Sequence, residues 1–331
     1  MKINFIFRKK NLAYSIEGVF NNIIGSLPDN IKYKKTFMPY SGTNPFYMIL
    51  NIIYTYRNRS EINHITGDIN YCSLFLNKRN TLLTIHHFPD DPWYKTKLRK
   101  LIYLCFWYYL PLKKCKYVTC VSTKTKKDLL SKFKLNPNRV FVVFNPLNDI
   151  YEYSPKRMNT TKPIILQIGT SLSKNIYRLT IAIQGINCHL RIIGKLTKEQ
   201  INELNRANIE YSYISDLNIL NLVEEYKRCD ILSFPSTLEG FGLPIIEAQA
   251  IGRPVLTSNI EPMTEIAGEG ACFVDPYKAE SIKEGIIKLL ENSNFCEEII
   301  FKGLENVKRF NKNLITSQYI KIYEKILEEY K

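Results

Sequence analysis

Glu239-Gly240-Phe241-Gly242-Leu243-Pro244-Ile245-Ile246-Glu247 is a glycine-rich turn bracketed by two carboxylates. On its amino side, Asp230-Ile231-Leu232-Ser233-Phe234-Pro235-Ser236 reads as a short buried strand ended by proline. On its carboxyl side, Ile245-Ile246-Glu247-Ala248-Gln249-Ala250 reads as the start of a helix that stops near Gly252 and Pro254. Strand, glycine loop and helix in that order present backbone N–H groups at a helix N-terminus, where a phosphate is favoured. Glu239 lies before the turn and Glu247 about one helical turn into the helix, so both can face one cleft. An ionised carboxylate accepts two sugar or ribose O–H bonds at once. Alone, such a loop is equally a helix entry with solvated glutamates, and the flanking chain has to decide.

Outward from that loop, short apolar runs alternate with amphipathic stretches, the pattern of βα units around a parallel sheet. Candidate strands in the first half are 3–7, 62–65, 81–85, 117–121 and 140–144; in the second half they are 164–168, 190–193, 231–234, 254–257 and 271–274. The stretch 145–162 is polar and rich in Pro, Asn and Thr, the best place for a linker. The expected fold class is α/β, with two Rossmann-like doubly wound domains. The first spans 1–150, a linker 151–162 and the second 163–312. A long last helix from Leu314 to Tyr330, in the segment 313–331, would pack back on the first domain. Ligands in such sheets bind at the carboxyl ends of the strands, hence in an interdomain cleft.

Of 331 residues, 45% are hydrophobic, which suits a globular protein of about two domains. No segment reaches the ~18 apolar residues of a membrane span, and the apolar run at 3–7 is too short for a signal peptide. Eight cysteines without a CxxC pair indicate neither a zinc site nor a disulfide framework, so a reducing cytoplasm is expected. The net charge of +15 is unevenly placed. Up to Arg157 there are 26 Lys and Arg against 9 Asp and Glu, +17; beyond it, 20 against 22, −2. A genome rich in Lys would raise both halves. A basic half attracts polyanions: an anionic membrane surface, a phosphorylated substrate or nucleic acid.

The run from Tyr226 to Ala248, with its E-x7-E spacing intact, resembles the signature of retaining GT-B glycosyltransferases of family four, the glycosyl transferases group 1. Gly252-Arg253-Pro254-Val255, Glu265-Ile266-Ala267-Gly268 and Phe273-Val274-Asp275-Pro276 match that family's continuation. Upstream, Ile168-Gly169-Thr170, Lys174-Asn175 and Ile192-Ile193-Gly194-Lys195 resemble the opening of its donor domain. Thr84-Ile85-His86 and 121–129 fit its acceptor domain more loosely; the likeness covers most of 64–310.

The resemblance implies a role for each matching position. Glu247 would bind the ribose hydroxyls of the nucleotide, and Glu239 would lie near the transferred sugar. The amides of Gly240, Phe241, Gly242 and Leu243, with Gly169 and Thr170, would hold sugar and diphosphate. Lys174 would neutralise the diphosphate as it leaves, and His86 would contact the sugar from the opposite domain. Charge building on a leaving diphosphate is what prealigned N–H groups and a lysine stabilise. Where the family carries an arginine near this lysine, Thr170 and Ser173 stand here, with Arg178 the nearest substitute. The family's glycine-rich loop after the first strand has only Tyr14-Ser15-Ile16-Glu17-Gly18 as its counterpart.

Other candidates have plainer readings beside the functional one. His87 rivals His86, and His64 after a strand can be a packed polar residue as readily as a cleft residue. His189 reads as surface. Asp90-Asp91 lacks the Asp-x-Asp spacing that bridges a metal to a diphosphate, reading instead as a helix N-cap before Pro92. No metal and no cofactor are expected. The stretch 93–115 mixes aromatic and aliphatic residues with lysines and an arginine, as in a helix lying in a membrane interface, though a buried helix has the same composition.

Together these readings give a hexosyl-transferring enzyme that moves a sugar from a nucleotide diphosphate sugar to a glycan or lipid-linked acceptor in cell-surface polysaccharide synthesis. It would be cytoplasmic, with a peripheral membrane contact. A nucleotide-sugar epimerase or phosphorylase on the same fold is one rival; the E-x7-E loop argues against the first and the lack of a cofactor-lysine signature against the second. A polyanion- or nucleic-acid-binding scaffold is the other, but no nucleic-acid motif is visible and no nucleic acid is expected as partner.

Overall fold

The computed structural model describes residues 1–10, 14–88 and 96–329, with only the backbone of Tyr14 and Ser15. The chain divides into two compact units, Met1–Pro146 with Asn311–Lys331, and Leu147–Phe310.

In unit 1, β1 (Lys2–Phe7), α1 (Tyr14–Gly25), β2 (Lys32–Phe37), α2 (Pro45–Arg57), β3 (Ile62–Ile65) and β4 (Thr81–Ile85) come first. They are followed by α3 (Lys97–Tyr103), a wide π turn Leu104–Tyr109, α4 (Leu110–Lys114), β5 (Tyr117–Cys120), α5 (Thr123–Lys132) and β6 (Val140–Val142). The six strands are all parallel, in the order β2-β1-β3-β4-β5-β6.

Unit 2 runs β7 (Ile164–Ile168), α6 (Ile176–Ala182), β8 (His189–Ile193), α7 (Lys198–Arg206), β9 (Tyr211–Ile214), α8 (Ile219–Arg228) and β10 (Ile231–Phe234). Then come α9 (Leu243–Ile251), β11 (Val255–Ser258), α10 (Met263–Ala267), β12 (Cys272–Val274), α11 (Ala279–Glu291) and α12 (Ser293–Asn306). This sheet is also six-stranded and parallel, ordered β12-β11-β10-β7-β8-β9. The expected α/β class with two doubly wound sheets is what the chain adopts. Helix α13 (Lys312–Glu328), capped by the Asn311 side chain, belongs to unit 1 and packs on α1. It begins and ends about two residues before the expected 314–330.

Two strands escaped the sequence reading, and both are sheet edges. β2 reads Lys-Tyr-Lys-Lys-Thr-Phe and has four exposed residues in a row. β9 is half-buried Tyr-Ser-Tyr-Ile. An edge strand covered by water on one side and dressed with lysine carries no apolar period to find. The interior strands β3, β4 and β10 are buried at every position, and their bounds coincide with the expected ones. Residues 151–162 are no free linker. Tyr151 is buried, Ser154 N–H donates to the Ile251 carbonyl, and Lys156 pairs with the buried Asp230 carboxylate at 2.6 Å. Tyr14–Gly18, the counterpart proposed for a glycine-rich loop, is the first turn of α1.

His64 is a core residue of unit 1, with no exposure. Its Nδ1 meets the Tyr323 hydroxyl of α13 at 2.7 Å and its Nε2 the Thr84 hydroxyl at 2.7 Å, while the Phe20 ring stands edge-on 5.0 Å away. Burial, aided by nearby His86, pushes its pKa down to about 3. The folded protein therefore holds a neutral imidazole where the unfolded chain takes a proton below about pH 6.5. Stability contributed by His64 is present above that pH and is lost as pH falls toward about 3, at up to ~1.4 kcal/mol per pH unit. His64→Phe is expected to be less stable at pH 8 yet to show a flatter dependence of urea midpoint on pH between 6.5 and 4. An unchanged slope would remove His64 from the account.

Candidate functional site: the loops after β7 and β10

Both loops leave the carboxyl ends of neighbouring parallel strands, so the sheet itself brings them side by side. They are laced together at three points. Thr237 N–H donates to the Ser173 carbonyl at 2.8 Å. The buried Asn175 side chain, on a left-handed backbone, donates to the carbonyls of Pro235 and Pro276 at 2.9 and 2.7 Å. Finally, Lys174 Nζ meets Glu239 Oε1 at 2.5 Å, with both side chains mostly covered. Gln167 in β7 fixes the lysine's backbone by donating to its carbonyl at 3.0 Å. The ammonium also lies 4.4 Å from the centre of the Phe234 ring, a cation–π contact that holds the charge at the strand end.

Gly169 explains how the lysine gets there. At φ +84° a side chain is strained, and an added Cβ would lie 2.9 Å from Lys174 Cε. The stem of Lys174 crosses over a bare backbone. Thr170 donates its hydroxyl proton to the Lys195 carbonyl at 2.8 Å. Arg178, the candidate substitute for a missing phosphate arginine, turns to Asn175 Oδ1 at 3.0 Å and the Tyr277 carbonyl at 3.2 Å.

Helix α9 starts at Gly242, in the left-handed region (φ 109°, ψ 50°), with no side-chain cap. The helix N-terminus thus faces the loop with its backbone donors and its positive dipole end. Phe241 is buried and edge-on to Phe310, so what it offers a ligand is its backbone. Glu247 is half-buried one turn on. Tyr226 of α8 donates its hydroxyl to Glu247 Oε2 at 2.5 Å, and Tyr151 hydrogen-bonds the same carboxylate. Loss of solvation raises the Glu247 pKa, and the two tyrosine hydrogen bonds work against that. The rings of Tyr151 and Tyr226 stand perpendicular at 5.7 Å. Neither tyrosine was singled out from sequence, although Tyr226 opens the signature run; a buried tyrosine needs an acceptor, and Glu247 is it.

Unit 1 places its own candidates at strand ends. His86 follows β4, and its Nε2 lies 2.6 Å from the Thr66 carbonyl. A carbonyl only accepts, so Nε2 carries the proton and Nδ1 is the acceptor. Burial lowers the His86 pKa, with Asp68 opposing, so the ring is neutral at pH 7. An added Cβ on Gly67 (φ +137°) would sit 2.5 Å from the imidazole. Arg8 bonds Asp68 at 2.7 Å and Glu17 at 3.3 Å beside it. His87 is exposed, and His189 bonds Ser212 and Glu210 at the surface of unit 2. Asp90, Asp91, Pro92 and residues 93–95 lie outside the described residues. In the rest of that stretch Trp107, Tyr108 and Leu112 are buried, whereas Leu98, Leu101, Ile102 and Tyr109 are exposed. Among the described residues no helix is long and apolar enough to cross a membrane, and no group of three or more His, Cys, Asp or Glu could hold a metal.

Residues 149–305 match the family model "Glycosyl transferases group 1". O-antigen chain mannosyltransferase B of Escherichia coli is 35% identical over 99 residues, 30% of this chain and 26% of that protein. O-antigen chain mannosyltransferase RfbU of Salmonella typhimurium is 24% identical over 217 residues, 63% of this chain and 60% of that one. The chain thus spans between about a quarter and three fifths of these curated relatives. Anabaena Alr3699/HepE, solved in complex with UDP, superposes with a TM-score of 0.79 over 98% of this chain and 100% of that one at 14% identity, a likeness of fold. Residues 149–305, which hold the laced E-x7-E loop, thus resemble the glycosyl transferases group 1 family, and the two parallel six-stranded α/β units give the chain the GT-B fold.

Proposed function

We propose that this chain is a retaining glycosyltransferase that moves a hexosyl group from a nucleotide diphosphate sugar to a glycan or lipid-linked acceptor in cell-surface polysaccharide synthesis. The observation that carries the reading is the Lys174–Glu239 pair at the uncapped start of α9. The family-model match over 149–305 and the relatives' names as O-antigen mannosyltransferases support it, as does the UDP bound by HepE. In this reading Glu247 accepts the ribose hydroxyls, and the amides of Gly240 to Leu243 with those at Gly169 and Thr170 hold sugar and diphosphate. Lys174 leaves its resting partner Glu239 for the diphosphate, and Glu239 is then available to the sugar. His86 serves as a neutral acceptor through Nδ1 for a sugar hydroxyl. The acceptor oxygen bonds to the anomeric carbon as the carbon–oxygen bond to the diphosphate breaks on the same face. The acceptor's proton passes to the departing phosphate oxygen. Negative charge grows on the diphosphate through that step, where a fixed ammonium and aligned N–H groups count most.

Peripheral attachment on the cytoplasmic side belongs to the same proposal. Unit 1 carries 28 Lys and Arg against 10 Asp and Glu, +18, and unit 2 carries 18 against 21, −3. In unit 1, α3 buries none of its residues, and α2 exposes Phe46, Tyr47, Ile49 and Ile53. Apolar side chains framed by cations suit the interface of an anionic leaflet, where each basic residue adds ~1 kcal/mol.

The test is a panel of UDP-, GDP- and ADP-sugars read by thermal unfolding. A donor at 100 times its Kd adds about 2.7 kcal/mol of stability. One nucleotide class is expected to raise the melting temperature of the native chain; no shift with any of the three would overturn the proposal.

A further inference from the structure

We propose that unit 1 carries a second anion site, at the amino edge of its sheet, that binds a phosphate or diphosphate group. The parallel register sets it up. Leu82 pairs with Tyr117 and Val118 with Val140, so the residues entering β4, β5 and β6 stand side by side at about 4.8 Å strand spacing. Those entering residues are cations: Lys78 and Arg79 before β4, Lys116 before β5 and Arg139 before β6. Lys325 of α13 adds a fifth, and together with Tyr117 they line a pocket of about 430 Å³. The remaining lining residues, Asn136 and Asn138, are neutral donors and acceptors. No carboxylate lines the pocket.

Five like charges in so small a space repel one another unless an anion joins them. Among the described residues Lys78, Arg79 and Lys325 form no ion pair with a carboxylate. Arg139 donates Nη2 to the carbonyls of Leu112 and Cys115, which fixes its guanidinium, and its buried Nε has no partner. An orphaned guanidinium donor is costly to leave so, and a phosphate oxygen is a charged acceptor that satisfies it. The protein already shows what the place accepts: the Glu329 carboxylate sits beside it on Lys116 Nζ and on the Tyr117 hydroxyl, at 2.7 Å. A phosphate has the same acceptor geometry with more charge, and would displace Glu329 or share its partners. This site lies at the opposite end of the strands from His86 and belongs wholly to unit 1.

Pyrophosphate is titrated calorimetrically into full-length Lys174→Gln, and because every chain compared keeps the same donor loop, differences between them report the new site. Adding Lys78→Gln, Arg79→Gln and Lys325→Gln, all exposed and so tolerated by the fold, is expected to lower the affinity at least about tenfold, or roughly 1.4 kcal/mol. A control with Lys32→Gln, Lys34→Gln and Lys35→Gln on the edge strand removes equal charge and is expected to leave the affinity unchanged. Co-sedimentation with phosphatidylglycerol vesicles distinguishes the source of the phosphate. Loss of vesicle binding in the pocket variant but not in the control assigns a lipid headgroup; loss of pyrophosphate binding alone assigns a soluble phosphate. If neither ligand distinguishes the pocket variant from the control, the site does not exist. Because the donor loop is the same in the pocket variant and the control, this outcome is independent of the glycosyltransferase reading.

Discussion

Lys174→Gln is expected to slow release of nucleoside diphosphate from the donor by roughly 10²–10³-fold, about 2.7–4 kcal/mol, with the loss in kcat rather than KM. The split follows from where charge develops. A ground-state diphosphate is already anionic and is also held by backbone donors, whereas the extra charge of the broken glycosyl bond appears only in the transition state. In the resting protein the ammonium is held 2.5 Å from Glu239 and 4.4 Å from the Phe234 ring centre. Glu239→Gln frees it, so nucleotide affinity is expected to hold or rise while turnover falls. The double variant should be no slower than the worse single one, since residues acting as one unit are not additive. A pair that served only to staple the two loops would behave otherwise: both variants would melt earlier and turn over normally.

What the sequence disclosed and what it withheld divide along burial. β10 is invisible to water, so its apolar run and closing Pro235 mark it, and Gly242 and Gly252 bracket α9 because each takes a left-handed backbone. The loop itself was legible because Glu239, its glycines and Glu247 follow a buried strand in one local run, and the roles proposed for them and for Lys174 rest on residue type. The edge strands β2 and β9 lack that signal, since their exposed faces can carry lysine, serine or tyrosine without cost. Partners contributed from distant sequence were equally silent. Tyr151 sits in what composition marks as a linker, and only folding brings its hydroxyl to Glu247, 96 positions later. The anion pocket needs three strand entries and α13 at once, a coincidence of register no local pattern encodes.

Glu247 is where stability and binding are expected to pull apart. Burial raises its pKa, so over the interval between the ordinary carboxylate value and that raised value the folded chain holds more proton than the unfolded one. Stability contributed by protonated Glu247 is therefore complete at low pH and is lost as pH rises through this interval. Above it, an ionised carboxylate remains under two tyrosines at a cost the fold has to bear. Glu247→Gln keeps the shape and an acceptor for Tyr226 while removing the charge. It is expected to melt higher than the native chain at pH 8, with the gain vanishing near pH 4. The same variant gives up the ionised acceptor that two ribose hydroxyls need, so its nucleotide-sugar shift should shrink, and in Glu247→Ala the roughly 2.7 kcal/mol added by saturating donor should disappear. Tyr226→Phe, which withdraws a donor from the ionised form, should weaken the shift only in part. Retention of the full shift in Glu247→Ala would leave the carboxylate a structural acid between two tyrosines, and the ribose would have to be sought elsewhere in the loop. A residue that costs stability when charged, yet is needed when the nucleotide arrives, is the pattern expected of a binding group rather than of a packing one.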